Sequence, residues 1–139
     1  MIPYEIMSSS SILKACASAP TALEHIARGL EWADAEFVAR KLGVSLDRFA
    51  GLAGVPRSTF FRRQAEGRFT PRESECIMRF AHLWRTACEV FPGETAARSW
   101  LDRPQMGLEG AVPLEFARSE LGARMVEELM LRIHRGILA

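Results

Sequence analysis

Three observations predict an all-α chain in which a helix-turn-helix bundle is followed by a second, small helical domain, the two sharing a central helix. Apolar residues recur three and four positions apart, and no strand-like alternation persists. The stretch LDRFAGLAGVPRSTFFRRQ at residues 46–64 sets a short apolar helix, a glycine-centred turn and an arginine-rich helix one after another with no spare residue. From Pro71 onward a long helix is apolar on two sides, and such a helix must pack against two things. At 139 residues the chain can bury one good core or two small ones. The division predicted is a flexible lead over residues 1–20, a helix-turn-helix domain over 21–84 and a second helical domain over 85–139. The alternative is a central helix within one undivided bundle.

Each element has its own signal. Thr21 and Glu24 are spaced as a capping box ahead of Leu23, Ile26 and Leu30, so a short helix is expected there. A second helix follows Gly29, turns Trp32, Phe37, Val38 and Leu42 inward and stops at Gly43. In the helix-turn-helix, Gly54 is the turn, Ala50 is the small residue where two crossing helices touch, and Phe49, Ala53, Val55 and Phe60 are the apolar contacts. Glycine suits a left-handed turn, and Pro56 can open the next helix because its missing N–H costs nothing there.

After Gly67, the run Thr70-Pro71-Arg72-Glu73 supplies an N-cap, an N1 proline and a capping-box glutamate for a helix reaching about Phe91. Its two stripes are Ile77, Phe80, Ala81, Trp84, Cys88 and Phe91, and beside them Cys76, Leu83, Ala87 and Val90. A shorter helix ends at Trp100-Leu101, a loop runs through Pro104, Gly107 and Gly110, and Pro113 opens one more turn. The last helix starts near Ser119 with Leu121, Met125, Val126, Leu129, Met130 and Ile133 along one side. Glu120 with Arg124 and Glu128 with Arg132 are spaced for ion pairs on the other. Gly136 ends it, and Ile137, Leu138 and Ala139 are either docked internally or waiting for a partner.

The formal net charge of +1 conceals an asymmetry. Residues 48–79 hold seven arginines against Glu66, Glu73 and Glu75, a net of +4, which leaves −3 for the remainder. A local basic patch on an otherwise mildly acidic chain fits a DNA-binding end joined to something else. Phe60 points to the core, so the outward face of its helix carries Ser58, Phe61, Arg62 and Ala65, with Arg57 and Ser58 entering a major groove first. Arg57, Ser58 and Arg62 are the readout candidates. Arg63 stands where an aliphatic residue is usual, with a stem suited to packing and a head that can reach a phosphate. A single unit with this charge binds weakly, so two copies on a two-fold site about one helical turn apart are expected, hence a homodimer.

Other classes find no support. Cys16, Cys76 and Cys88 are odd in number and lack paired ligand spacing, so they read as reduced, packed thiols rather than a disulfide framework or zinc site. His25, His82 and His134 are scattered, and no nucleophile with a base, carboxylate pair or phosphate loop appears, so neither enzyme, metal nor cofactor is expected. The opening residues lack the basic start and long apolar run of a secretory signal, and no stretch is long enough to span a bilayer. A cytoplasmic location with no membrane partner is the expectation.

One set of residues extends this reading: Phe61-Arg62-Arg63 closing the recognition helix, Glu73-Ser74-Glu75, Val90-Phe91, Ala97, Trp100-Leu101, Pro113-Leu114-Glu115, Gly122, and Arg132-Ile133 with Gly136. In this order they resemble the Xre/MbcA/ParS antitoxins paired with RES-domain toxins, from about residue 30 to the C-terminus. The resemblance implies an Xre-like helix-turn-helix that represses its own operon on double-stranded operator DNA, and a C-terminal toxin-binding domain that occludes the active site of a NAD-depleting RES-domain toxin. It places Arg57, Ser58, Arg62 and Arg63 on DNA, and Arg132, Arg135, Gly136, Ile137, Leu138 and Ala139 on the toxin. Trp100, Leu101 and Pro113 shape the second domain. Two departures from the family pattern are Pro92-Gly93 after the Val-Phe pair and Ser119 in place of threonine. The competing readings are a stand-alone transcriptional regulator whose C-terminal domain dimerises or senses a ligand, and a pure interaction module.

Overall fold

The structure, a computed structural model, describes residues 11–136. Among these, nine α-helices and one 3-10 turn follow in order, with isolated bridges Glu31–Arg68 and Gln105–Ala111 in place of strands. The first helix, α1 (Ser11–Cys16), falls in the segment expected as a flexible lead, yet it buries Ile12 and Ala15 against the central helix. A lead over 1–20 therefore does not describe residues 11–16, because two apolar side chains three apart give even a short helix a face to bury. Helix α2 (Ala19–Arg28) starts ahead of the predicted Thr21–Glu24 box, with Ser18 as N-cap and Pro20 in the first turn, where proline is favoured. Leu23 lies on its outer side, 66% exposed.

Helix α3 (Trp32–Leu42) is closed by a Glu31–Asp34 capping box at its start and by left-handed Gly43 at its end. Helices α4 (Leu46–Ala53) and α5 (Arg57–Glu66) form the helix-turn-helix. Ser45 Oγ accepts from Arg48 N–H at 3.1 Å to begin α4. Its end is a Schellman turn: Val55 N–H reaches Ala50 O at 3.0 Å, Gly54 N–H reaches Gly51 O at 3.1 Å, and Gly54 has φ 74°. Pro56 then holds an extended backbone as N-cap, one residue ahead of the helix it was expected to open.

Helix α6 (Pro71–Val90) is the shared central helix, opened by the predicted box, in which Thr70 N–H donates to Glu73 Oε1 at 3.0 Å and Glu73 N–H to Thr70 Oγ1 at 3.2 Å. Phe91 is already extended, as the residue before Pro92 should be. Twenty residues at 1.5 Å rise make it about 30 Å long, enough to run through the whole molecule. Around it pack α1 to α4, α7 (Glu94–Leu101) and α9 (Glu120–His134). Short α8 (Pro113–Phe116) bridges α7 and α9. The buried side chains form one continuous cluster from Ile12 to Met130, so the two halves share their core as well as their helix.

An aromatic group anchors the helix-turn-helix half: Phe60 lies 5.2 Å from Trp32, 5.4 Å from Phe69 and 6.3 Å from Phe49, which in turn meets Phe80 at 5.8 Å. In the second half Trp100 stacks near Phe91 at 5.1 Å, Leu101 is fully buried and Pro113 is buried, the shaping roles expected of them. Polar ties close the seam. Arg48 on α4 clamps Asp102 with two bonds of 3.1 and 2.8 Å, and Arg98 Nε donates to the Lys41 carbonyl at 2.7 Å. Gly122 passes so close to the Phe116 carbonyl that any side chain there would collide with it, which fixes how α8 turns into α9.

Candidate functional site

Helix α5 divides into two faces. Phe60 is fully buried, while Arg57 and Arg62 have side chains 73% and 56% exposed, and Ser58 and Ala65 are exposed beside them. Arg57 Nε pairs with Asp47 at 2.6 Å and its guanidinium lies 5.1 Å from the Phe61 ring centre, so the side chain is held over the start of the helix. Arg62 meets Glu66 at 3.3 Å. Exposed pairs of this kind are worth about 0–1 kcal/mol and yield readily to a phosphate or a guanine edge. The structure thus brings Arg57, Ser58 and Arg62 onto one solvent-facing surface.

Arg63 goes elsewhere. Its guanidinium grips Glu73 at the start of α6 with two bonds of 2.8 Å and also reaches Glu66 at 2.7 Å, leaving the side chain only 12% exposed. Instead of a head extended toward phosphate, it forms the polar lock between the recognition helix and the central helix. Hydrogen bonding from Arg63 holds the Glu73 carboxyl below the usual carboxylate range, and Glu66 is lowered by the same cause. A depressed carboxylate stabilises the fold above its unfolded value and loses that contribution as pH falls through the folded one. Arg63→Ala is therefore expected to cost about 1–3 kcal/mol at neutral pH, by stripping charged hydrogen bonds from a nearly buried Glu73. The gap from the parent chain should narrow as pH falls below the ordinary glutamate value of about 4.3 and toward the lower folded one. Urea titrations at pH 7 and pH 3.5 measure this directly.

On the second half, Ser119 Oγ accepts from Gly122 N–H at 2.9 Å and caps α9 as expected. Val126, Leu129 and Met130 are buried, but Leu121 and Met125 are 64% and 43% exposed, so the apolar side predicted for this helix splits into an inner row and an outer pair. Among the described residues the i,i+4 ion pairs are Arg62–Glu66, Arg85–Glu89 and Arg98–Glu94, not the expected Glu120–Arg124 and Glu128–Arg132. Glu127 instead meets His82 Nε2 on α6 at 2.8 Å. Arg132 and Arg135 are both exposed near the end of α9, followed by exposed Gly136 at φ 77°. Ile137, Leu138 and Ala139 lie outside the described residues.

Sequence reasoning missed Met106. It is 93% exposed on a short loop braced by bonds from Gln105 N–H to Ala111 O and from Gly110 N–H to Gln105 O, with Gly107 seated on Leu129 of α9. A proline- and glycine-punctuated stretch reads as a turn whichever residue crowns it, so nothing in the pattern singled it out.

Among the described residues no group of His, Cys, Asp and Glu could hold a metal, and no helix is long and apolar enough to cross a membrane. Burial pushes the Cys16 thiol up to about 11, which keeps it protonated at neutral pH. Cys16 and Cys76 are half-buried, but Cys88 is exposed rather than packed.

Comparison with known proteins matches both halves. Residues 21–82 fit a family model described as an antitoxin Xre-like helix-turn-helix domain, and residues 86–136 fit one described as an antitoxin Xre/MbcA/ParS C-terminal toxin-binding domain. Similar curated proteins include an "Antitoxin Xre" of Yersinia enterocolitica, 38% identical over 88 residues, covering 62% of this chain and 60% of the relative. An "Antitoxin Xre" of Photorhabdus laumondii is 34% identical over 90 residues, covering 63% and 61%, and one of Pseudomonas putida is 33% identical over 67 residues, covering 48% and 42%. The match thus spans about three fifths of the length of the first two relatives.

Proposed function

Since the chain belongs to the Xre/MbcA/ParS family of antitoxins, we propose that it neutralises a cognate RES-domain, NAD-depleting toxin by covering its active-site cleft, and represses its own operon as a homodimer on operator DNA. The observation that carries the toxin reading is where unburied apolar side chains fall. Of the four large hydrophobics exposed among the described residues, Met106, Leu121 and Met125 lie in the segment matched by the toxin-binding model. Large apolar side chains left exposed in one segment are costly in water and fit a protein partner.

Arg132, Arg135 and Gly136 to Ala139 supply the plug. A guanidinium stays charged at any working pH and can engage a site shaped for phosphates or carboxylates in two-point fashion, whereas an ammonium offers a point charge. The mechanism is occlusion without chemistry: the arginines and the apolar residues that follow occupy space meant for a dinucleotide. Copurification of the RES-domain protein encoded beside this chain is the expected outcome of a pull-down from the native host. Recovery of the chain alone would count against the toxin reading.

For DNA the proposal rests on Arg57, Ser58 and Arg62 as groove-facing residues, with Arg63 supporting the helix from behind. Arg62→Ala should weaken binding to the chain's own promoter by about 1–3 kcal/mol, roughly 5- to 150-fold, and relax selectivity at one base pair. Gel shifts on that promoter would read it. Indifference to both Arg57→Ala and Arg62→Ala would show that another face meets the duplex.

A further inference from the structure

Beside the recognition helix the surface opens into a cleft that joins the two halves. Val55 and Pro56, the last residues of the turn before Arg57, form one wall, and Arg72, Arg79 and Arg118 line the other. Arg72 and Arg79 come from the central helix, whereas Arg118 comes from the second half, one residue before the Ser119 cap of α9. Arg79 fixes this arrangement by donating from Nη1 to the Arg118 carbonyl at 3.0 Å. The carboxylates present are Glu73, already neutralised by the two-point grip of Arg63, and Glu75. Arg118 has only a long 3.6 Å approach to Glu115, with its side chain 57% exposed. The cleft is accordingly positive, and with Arg79 held on the Arg118 carbonyl it is the Arg118 guanidinium, in its long exposed pair, that can exchange partners.

Resting on the proposed DNA reading, we propose that this cleft receives the phosphate backbone bordering the major groove, so that Arg118 of the toxin-binding half contacts operator DNA together with Arg72. Position is the argument. If Arg57 and Ser58 lead the recognition helix into a groove about 12 Å wide, the turn at Pro56 faces the groove wall, and the wall is sugar and phosphate. Arginine forks suit phosphate oxygens, and such contacts hold register without reading sequence. The consequence is physical coupling: the segment that grips phosphate through Arg118 leads directly into the helix that carries Arg132 and Arg135.

Counterion release supplies the test. Affinity of the full-length chain for a duplex of its own promoter, and for a scrambled duplex of equal length, is measured by fluorescence anisotropy across a salt series. Arg72→Gln and Arg118→Gln are each expected to lower the slope of log K against log salt by about 1.8, about 0.9 for each protomer of the bound dimer, and to weaken both duplexes by the same factor. Arg62→Ala serves as contrast, weakening the promoter more than the scrambled duplex. A variant that only disturbed folding would show a lowered melting temperature with the slope of its folded fraction unchanged, and that result counts against the proposal. Parental slopes in both glutamine variants overturn it while leaving the DNA reading intact. Failure of the parent chain to bind either duplex overturns both.

Discussion

Cells that express the RES-domain toxin proposed as partner together with an Arg135→Ala chain are expected to stop growing, while the parent chain protects them. The same release is expected for Arg132→Ala and for a chain stopped after Arg135. The reason is the position of these arginines, both exposed at the end of α9 and with no ion-pair partner among the described residues that would compete for them. When a guanidinium enters a closed site and bonds an acceptor there, removing it strands that acceptor, at a cost of about 2–5 kcal/mol. Affinity then falls roughly 30-fold to several thousand-fold, enough to leave a lethal fraction of toxin uncovered. The variants should retain promoter binding in a gel shift, since the substituted residues lie at the far end of the molecule from α5. Full protection by all three would refute the plug, and loss of DNA binding alongside protection would reverse the assignment of the two ends.

What could be read from the residues was what local chemistry decides. Gly54, Ala50 and Phe60 mark the helix-turn-helix because a left-handed turn, a close crossing and a buried aromatic each leave a residue-level trace within fifteen positions. Thr70 to Glu73 and Ser119 were visible for the same reason, each cap bond spanning three residues. What escaped depends on elements meeting in space. Arg63 looks like a surface cation on its own helix, and only the approach of Glu73, ten positions on, turns it inward. Leu121 and Met125 share a helical side with Val126 and Met130 by counting, but the inner row covers α6 and the outer pair does not. The short α1 escaped because six residues after a serine run offer less than two turns in which a period could show, and among the described residues it packs chiefly on α6 and α2. The outward face of α5 was legible, since Arg57, Ser58 and Arg62 all face solvent. Met106 and the cleft containing Arg118 were not.

Heat should unfold this chain in one transition, and Phe60→Ala should lower that transition for the whole molecule rather than for the DNA-reading half alone. Phe60 is fully buried and touches the rings of Trp32, Phe49, Phe61 and Phe69. Truncating such a residue costs about 3–5 kcal/mol in lost transfer energy and a cavity that its neighbours cannot fill. A domain of this size has about 5–15 kcal/mol in total, so the variant sits near the edge of stability. The damage spreads because the core is continuous: Phe49 passes from Phe60 to Phe80 on α6, and α6 carries the packing surface for α9. The Arg48–Asp102 clamp and the Arg98 bond to Lys41 O join the halves at the surface as well. Near- and far-ultraviolet circular dichroism should therefore report the same midpoint in parent and variant. Two separated midpoints, with the toxin-binding half surviving Phe60→Ala, would show that the shared helix divides the chain into independent units, and Arg118 could then not transmit anything from one end to the other.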